Sequence, residues 1–528
     1  MVNNQKKKPV LASLLILGSV AAVITAITAI LYYGPARYEE ISQRGLKLNE
    51  GSERAKDWVT NTTPNLVKFF FFEVTNSWEM YYDNHHGTDH KNVVPKFAER
   101  GPYVYEERVE RQNLTWSENG TVSFIPKTTY YFRADLSQGN SEEDYVVVLN
   151  ALMVALANRY QDWDLITKAK YNSPHGGFEF RGQDFWNNDV IITPRRKVKD
   201  LIWGHNNNIL RLIREYVGVP AEEFPETDGL FGFVGKNDTQ GKQFEVFTGV
   251  NHIDELGVIS KWNDDDKLGV WDTEQCDAVS GTDGQVFPPK INSNMILNVF
   301  EPDLCRELTL DFKEKSVHKD VPVYRFGISD SYFDPEAPQN ECYCDKSHPA
   351  CGVKGTFSIS KCKFGYKDWP LLYSKPHFLH SDVKKHVSMM PNEDDHDSYF
   401  DIEPITGTTM ASKLRMQINI EINQVFNDFY LNTPPHYIGI NTGIYPIFWF
   451  ERSVDRLSKK QVQSIKIRLG ETFLLRWSIG GAFLGLSLIL AAISALVLYS
   501  SGFISFSSKN RYSNVRYADG KTRLLENQ

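Results

Sequence analysis

The sequence lacks the short motifs that accompany common catalytic chemistries. It has no Gly-x-Ser-x-Gly, no His-Glu-x-x-His and no P-loop. Two acidic clusters, Asp264-Asp265-Asp266 and Glu393-Asp394-Asp395-His396-Asp397, lack the alternating ligands and the closing Glu of an EF-hand. The sequence therefore predicts neither an enzyme nor a cofactor or metal site, and it indicates that both clusters are solvated loops.

A concentration of positive charge is also missing. The 528 residues have a formal net charge of -8 and a pI near 6.0, and the Lys and Arg residues are scattered. Phosphate backbones are bound by clustered Lys and Arg. Nucleic acid is therefore not an expected partner.

Charge is absent from one long apolar segment near each end of the chain. Residues 9–33 contain no charged residue, and residues 476–506 contain only Arg476 at their start. At about 1.5 Å per residue, each segment is long enough as a helix to cross a hydrocarbon core of roughly 30 Å. The sequence predicts two transmembrane helices, flanked by tails at 1–8 and 507–528.

The first segment has an alternative interpretation as a cleaved signal peptide. Lys6, Lys7 and Lys8 form a basic start, and Ser19-Val20-Ala21 resembles a cleavage site. The apolar run is longer than a signal-peptide core of roughly 7 to 15 residues, which favours an uncleaved anchor.

Cysteine is scarce, and neither tail contains any, so palmitoylation of the tails is excluded. All six cysteines lie between Cys276 and Cys362. A zinc site at Cys342, Cys344 and Cys351 is the alternative to disulfides, but no Cys-x-x-Cys partner follows. Four glycosylation sequons occupy the same middle part of the chain, at Asn61, Asn113, Asn119 and Asn237. Residues 34–475 are therefore predicted to be lumenal or extracellular and oxidised, with both termini cytoplasmic.

The middle part of the chain has no long flexible linker and no repeat, which indicates one large unit that is mainly β. The run Phe69-Phe70-Phe71-Phe72 predicts a buried strand, and the segments on either side of Asn119-Gly120 predict a hairpin with a primed turn. Residues 144–160 and 198–217 are predicted to be helical, as an insertion between the strands.

Several segments resemble the class B scavenger receptors, a family that includes a fatty-acid translocase, a high-density-lipoprotein receptor, a lysosomal integral membrane protein and insect sensory neuron membrane proteins. They occur in family order at 101–105 (GPYVY), 119–124 (NGTVSF), 201–204 (LIWG), 376–378 (PHF) and 391–407, which contains EDDH and DIEPITG. The resemblance spans nearly the whole chain and weakens at 158–196.

The resemblance implies an antiparallel β-barrel-like lumenal domain with an apolar tunnel toward the bilayer. It also implies a helical bundle at the membrane-distal apex, here 145–217, and a disulfide-bonded region at 276–362. The family's disulfide plan, carried onto this sequence, gives Cys276–Cys342, Cys305–Cys362 and Cys344–Cys351.

Lipid binding would rest on the hydrophobic effect, because each CH₂ kept from water is worth about 0.8 kcal/mol. In the fatty-acid translocase an apical lysine orients the anionic head group, and Lys168 and Lys170 lie in the comparable stretch. Ordinary surface lysines are the alternative interpretation. His85, His86 and His90 are candidates for sensing pH in acidic compartments, against the alternative of an exposed polar loop.

The C-terminal tail contains two candidate sorting signals. Tyr512 and Val515 fit a Tyr-x-x-apolar endocytic signal, and Asp519 with Leu524 and Leu525 resembles an acidic dileucine signal. The Gly481-x-x-x-Gly485 spacing favours helix pairing within the membrane, either between the two anchors or between copies of the chain as a homo-oligomer.

The sequence therefore predicts a membrane glycoprotein of the plasma membrane or of the endosome and lysosome. The leading function is a receptor that binds lipids such as fatty acids, sterols or lipoproteins and passes lipid through a tunnel to the membrane. The alternative is a lysosomal membrane receptor that sorts a hydrolase through its helical apex.

Overall fold

The computed structural model describes most of the chain between residues 45 and 500, with gaps. The described ranges are 45–60, 64–77, 94–151, 195–206, 230–235, 237–344, 353–359, 361–362, 370–383, 389–423, 440–455 and 459–500, with residues 79 and 154 and scattered positions in 13–27. The chain forms two compact units, Gln43–Ser464 and Met1–Ser42 with Ile465–Gln528.

The described strands, in chain order, are β1 Asn65–Val74, β2 Phe97–Trp116, β3 Thr121–Phe132, β4 Tyr145–Val146, β5 Arg196–Lys197, β6 His205–Asn206, β7 Leu230–Phe231, β8 Thr239–Gln240, β9 Phe244–Phe247, β10 Ile259–Trp262, β11 Leu297–Glu301, β12 Arg306–His318, β13 Val321–Ile328, β14 Thr356–Ser358, β15 Leu371–Ser374, β16 Tyr399–Glu403, β17 Thr408–Ile422 and β18 Gly443–Asp455. The described α-helices are α1 Glu53–Thr60, α2 Val198–Trp203, α3 Glu274–Asp277, α4 Glu393–His396 and α5 Lys459–Ser500. Short 3₁₀ helices span Ile253–Glu255, Pro302–Leu304, Asp330–Phe333, Pro338–Tyr343 and Pro376–Phe378.

Fourteen of these strands form one antiparallel sheet. Its main path runs in the order β10-β9-β3-β2-β1-β18-β17-β16-β13-β12-β11, while β8 pairs with β3 and β15 joins β14 to β17. The first long strand, β1, pairs with both β2 and the last strand, β18. The prediction of a mainly β unit is confirmed.

A short link at Gly281 and Thr282 brings the two ends of this path together. The Ile259 N–H of β10 donates to the Gly281 carbonyl at 2.9 Å, and the Thr282 N–H donates to the Asn298 carbonyl of β11 at 3.0 Å. The Phe300 N–H returns a hydrogen bond to the Thr282 carbonyl at 2.8 Å. The sheet is therefore nearly closed, and one of its faces is an inner face.

Aromatic side chains fill one part of the interior. Phe69 and Phe71 of β1 are almost fully buried, and Phe69 lies 5.9 Å from Tyr105 and 6.1 Å from Phe448, measured between ring centroids. Tyr103 and Tyr105 are also buried, on alternate positions of β2. The buried strand predicted from the run at Phe69 is confirmed.

The segments 375–383 and 389–398 cover part of the opposite face of the sheet. The Lys375 ammonium, only 2% exposed, contacts Asp330 at 3.2 Å and Asp397 at 2.9 Å. The Arg415 guanidinium of β17 donates to the carbonyls of Asp394 and Asp397. Buried ion pairs and hydrogen bonds thus hold these segments on the sheet together with buried apolar side chains such as Phe378 and Met389.

The helix predicted from residue 144 is wrong at its start. Tyr145–Val146 is strand β4 and pairs with β5, because the Asp144 carbonyl accepts the Val198 N–H instead of a bond within a helix. The second predicted helix is confirmed only as Val198–Trp203. It ends at Gly204, whose φ of 116° lies outside the helical range. Most of the predicted apex lies outside the described residues.

The predicted hairpin is confirmed, but its turn differs. Thr115 pairs with Ser123 and Trp116 with Val122, and four residues, 117–120, lie between the end of β2 at Trp116 and the start of β3 at Thr121. The Asn119 carboxamide oxygen accepts from the Thr121 hydroxyl at 2.8 Å, which stabilises the longer turn. A two-residue primed turn is therefore not formed.

α5 extends over Lys459–Ser500. Judged on the residues that the structure describes, no helix combines the length and the hydropathy that a membrane span requires.

Candidate functional site

A cavity of about 540 Å³ that is open to solvent lies against the inner face of the sheet. The neighbours Glu107 and Tyr130, a direct pair between β2 and β3, both line it, and Arg452 of β18 lines it from an adjacent part of the sheet. Alternate residues of a strand lie on the same face. The cavity is therefore part of the interior that Tyr103 and Tyr105 fill further along β2.

Aromatic rings form part of the cavity wall. Phe124 and Phe244 stack with centroids 5.6 Å apart, and Trp262 meets Phe300 edge to face at 6.0 Å. Phe400 of β16 adds a fifth ring. A cavity of this size lies within the range of roughly 300 to 1,000 Å³ that small-molecule sites occupy, and such walls favour apolar ligands.

A polar group, here called the Arg452 cluster, interrupts this wall and consists of Asn65, Glu107, Tyr130, Glu301 and Arg452. The Arg452 guanidinium lies 3.3 Å from the Glu107 carboxylate and 3.4 Å from that of Glu301. The Glu107 carboxylate also accepts from the Tyr130 hydroxyl and from the Asn65 carboxamide, each at 2.8 Å. The Glu107 carboxylate is thus the centre of the cluster.

The electrostatic field at the Arg452 cluster is negative. Glu107 is the main cause that raises the pKa of Arg452 well above its usual value, and Glu301 and Asp303 contribute in the same direction against burial. Burial, and then Glu107, raise the pKa of the Tyr130 hydroxyl well above its usual value. Arg452 therefore stays charged and Tyr130 stays neutral.

A second ion pair, between Arg111 and Asp283, forms part of the cavity wall near α1. The Arg111 guanidinium donates to Asp283 at 2.9 Å and to the Trp58 carbonyl at 2.6 Å. It also lies 4.2 Å from the centroid of the Trp58 ring, in a cation–π contact. Because each charge has its partner close by, this pair adds little net field to the cavity.

The cavity reaches the protein surface beside β8. Val234, Thr239, Gly241 and Lys242 line it and are exposed. The Lys242 ammonium lies 4.4 Å from the centroid of the Trp262 ring. A cation therefore lies at the opening, next to the aromatic wall.

A histidine pair lies on the covered face of the sheet, outside the cavity. The His377 and His396 rings stack in parallel with centroids 4.2 Å apart. His377 Nε2 lies 2.7 Å from a Glu99 carboxylate oxygen that also accepts from the Trp449 indole at 2.8 Å. Burial raises the pKa of Glu99, but the hydrogen bonds from His377 and Trp449 outweigh it, and the pKa is lowered.

His396 is held in a neutral state by its surroundings. Its Nδ1 accepts the Asn392 N–H at 2.9 Å, so that nitrogen cannot also carry a proton without losing this bond. Burial, followed by the charge of His377, lowers the pKa of His396 to about 4.

Two disulfides are described, Cys276–Cys342 and Cys305–Cys362. These are the pairs that the family resemblance implies, and the second lines the cavity. Cys344 is also disulfide-bonded, and its implied partner Cys351 lies outside the described residues.

The other predicted site residues fall in two groups. Asn113, Asn119 and Asn237 are described and exposed, so each sequon is accessible. The remaining predicted residues lie outside the described residues: Asn61, His85, His86, His90, Lys168, Lys170, Tyr512, Val515, Asp519, Leu524 and Leu525. Within the described part of the chain, no group of three or more His, Cys, Asp or Glu side chains is arranged to hold a metal ion.

Sequence reasoning missed the Arg452 cluster. The signal was the alternation Phe448, Phe450, Arg452, Val454, which places one charge in an otherwise apolar row on a single strand face. The partners Glu107 and Glu301 could not be found in the same way, because they come from strands that are distant in sequence.

Fold and cavity together define a class of protein, a disulfide-bonded domain in which a nearly closed antiparallel sheet carries a solvent-open cavity on its inner face. The chain belongs to the CD36 family, because the family model matches residues 16–498.

Three relatives illustrate this membership. The chain is 30% identical over 444 residues to scavenger receptor class B member 1 of Rattus norvegicus, covering 83% of this chain and 79% of that protein. It is 26% identical over 528 residues to sensory neuron membrane protein 2 of Manduca sexta, covering 94% and 96%. It is 26% identical over 466 residues to lysosome membrane protein 2 of Homo sapiens, covering 87% and 88%.

Proposed function

We propose that this chain is a membrane-anchored receptor that binds lipid in the cavity on the inner face of its sheet and passes it to the membrane. The observation that carries the proposal is the cavity itself, which an aromatic wall lines within a nearly closed sheet. Removal of apolar surface from water is the driving force that such a wall provides. The relative named scavenger receptor supports the same class of function.

Attachment to the membrane through residues 9–33 and 476–506 belongs to the proposal. In α5 the side chains of Leu488, Leu496 and Tyr499 are 71%, 67% and 59% exposed. Large apolar side chains exposed along the C-terminal part of a helix favour apolar surroundings there. Two relatives are named membrane proteins, which supports the same placement.

The lumenal or extracellular position of the middle part rests on its disulfides and on its accessible sequons. We expect glycans at Asn113, Asn119 and Asn237, and at Asn61. Treatment with an N-glycosidase would lower the apparent mass of the chain, and an unchanged mass would contradict this placement.

The test of lipid binding is mass spectrometry of lipids that co-purify with the full-length protein in detergent. Ser412 lines the cavity and is 6% exposed, so Ser412→Phe would fill part of the space. We expect this variant to retain less lipid than the wild type. Ser117→Phe, at an exposed turn, is the matched control and should retain the wild-type amount. Equal lipid in the two variants would contradict binding in the cavity.

The alternative function is sorting of a lysosomal hydrolase through the apex at 145–217. It rests on the similarity to lysosome membrane protein 2 and on the candidate tail signals. Lys168 and Lys170 would lie at the apex in either function. Residence of a tagged chain only in lysosomes would favour the alternative, and residence at the cell surface would favour lipid uptake.

A further inference from the structure

Three cations line the cavity among the described residues, and they differ in whether a carboxylate lies close to them. The Arg111 guanidinium lies 2.9 Å from the Asp283 carboxylate, and the Arg452 guanidinium lies 3.3 Å from that of Glu107. Lys242 has a different environment, because no ion pair joins its ammonium to a carboxylate within the described part of the chain. Lys242 is therefore the cation of the described wall whose charge is available to a ligand.

Lys242 lies where the cavity opens to solvent, and its side chain is exposed. Its ammonium lies 4.4 Å from the centroid of the Trp262 ring, a cation–π contact that places the charge at the outer end of the aromatic wall. An acidic turn follows at 264–266, where the Asp264 carboxylate accepts from the Gln243 carboxamide at 2.8 Å. None of the three carboxylates of this turn is ion-paired with Lys242.

A ligand with an anionic head group and an apolar tail complements this arrangement. At the opening, the head group keeps its contact with water and gains attraction to the Lys242 ammonium. Deeper in the cavity it would lose water, and the described cations there, Arg111 and Arg452, already have carboxylate partners. The tail gains free energy by leaving water along the rings of Trp262 and Phe244. The head group is therefore most stable at the opening, with the tail pointing inward.

We propose that Lys242 is the head-group site of the cavity and that it favours amphiphiles with an anionic head group, bound with the charge beside β8 and the tail along the aromatic wall. This inference rests on the proposed lipid-binding function and adds a residue that determines its specificity. It gives to Lys242 the role that the family resemblance suggested for Lys168 and Lys170.

The experiment measures the binding of two radiolabelled probes of equal chain length, palmitate and 1-hexadecanol, to the full-length protein in detergent at about pH 8, where palmitate is ionised. Lys242→Met removes the charge but keeps an unbranched side chain that can still contact the Trp262 ring. We expect this variant to bind palmitate about two- to fivefold more weakly, the range that an exposed ion pair provides. Its affinity for hexadecanol should equal that of the wild type.

Salt gives a second measurement of the same contact. Exposed charges are screened when the salt concentration rises from about 0.1 M to about 1 M. Palmitate binding by the wild type should therefore weaken relative to hexadecanol binding, and the ratio should change less for Lys242→Met. A ratio that responds equally in both proteins would overturn the contact with Lys242.

Lys261→Met is the matched control, because Lys261 is an exposed lysine next to Trp262 on β10 that does not line the cavity. It should leave both affinities unchanged, and an equal loss of palmitate binding in this control would overturn the proposal, because net charge alone would then explain the loss. Wild-type palmitate binding by Lys242→Met, or an equal loss of both probes, would overturn the head-group role and leave the proposed function intact. Binding of neither probe by the wild type would overturn both.

Discussion

Burial of neutral His396 predicts that the fold loses stability in acid. Its pKa is about 4 in the folded protein, against 6.5 in an unfolded chain. Between pH 4 and pH 6.5, the His396 side chain is therefore mostly protonated in the unfolded state and mostly neutral in the folded state. The free energy of unfolding falls as the pH drops from about 6.5 and levels off below about 4. At about 1.4 kcal/mol per pH unit, the total loss is about 3 kcal/mol.

The other charges around His396 do not remove this penalty. His377 and Arg415 lower the pKa of His396 further, while Glu99 and Asp395 raise it less than burial lowers it. Replacing the histidine removes the titrating group altogether. His396→Asn is the chosen change, because its side-chain oxygen can still accept the Asn392 N–H.

The assay is thermal unfolding of the full-length protein between pH 7.5 and 4.5. Over this interval the wild-type Tm should fall by about 3 °C more than that of His396→Asn, given the entropy of unfolding of a domain of this size. His252→Asn, at an exposed histidine, is the control and should follow the wild type. Parallel curves for the wild type and His396→Asn would refute the reasoning.

Three further changes test the architecture through the Tm of the full-length protein. Glu451→Gln removes a carboxylate that is 5% exposed between a lysine and an arginine, and it should cost roughly 3 kcal/mol, or about 3 °C; an unchanged Tm would show that the ion pairs contribute nothing. Gly407 has a φ of 70°, and a Cβ added there would collide with the Phe287 carbonyl. Gly407→Ala should therefore lower the free energy of unfolding by roughly 2 kcal/mol or more. A variant as stable as the wild type would contradict this turn geometry. The double change Cys305→Ser with Cys362→Ser opens a loop with a sequence separation of 57 and should cost about 2 to 4 kcal/mol; no loss would mean that the unfolded chain is not constrained by this bond.

The sequence predicted the parts of the fold that depend on local pattern. The apolar run at Phe69 and the hairpin beside Asn119 were found because strand periodicity and turn residues are local signals. The start of the helix expected from residue 144 was wrong because the Asp144 carbonyl bonds to the Val198 N–H, more than fifty residues away. A local sequence pattern cannot identify a hydrogen-bond partner that is so distant in the chain.

Less of the candidate site than of the fold could be predicted from the sequence. Its residues come from strands that meet only after the sheet forms, as the register of Glu107 with Tyr130 shows. The buried pair of His377 and His396 was visible as two motifs of the family resemblance, but not as a contact. The stacking distance of 4.2 Å arises only when the segments that contain His377 and His396 lie together on the sheet.

The short link at Gly281 and Thr282 also disfavours self-association of the protein through its strand edges. An exposed strand edge presents free N–H and C=O groups to any neighbouring chain. Here the edges at β10 and β11 bond to the same two-residue link, so within the described part of the sheet both ends of the main path are occupied. Loss of the hydrogen bonds at this link would expose the edges of β10 and β11 together. Both edges could then pair with strands of another chain, so the link opposes aggregation.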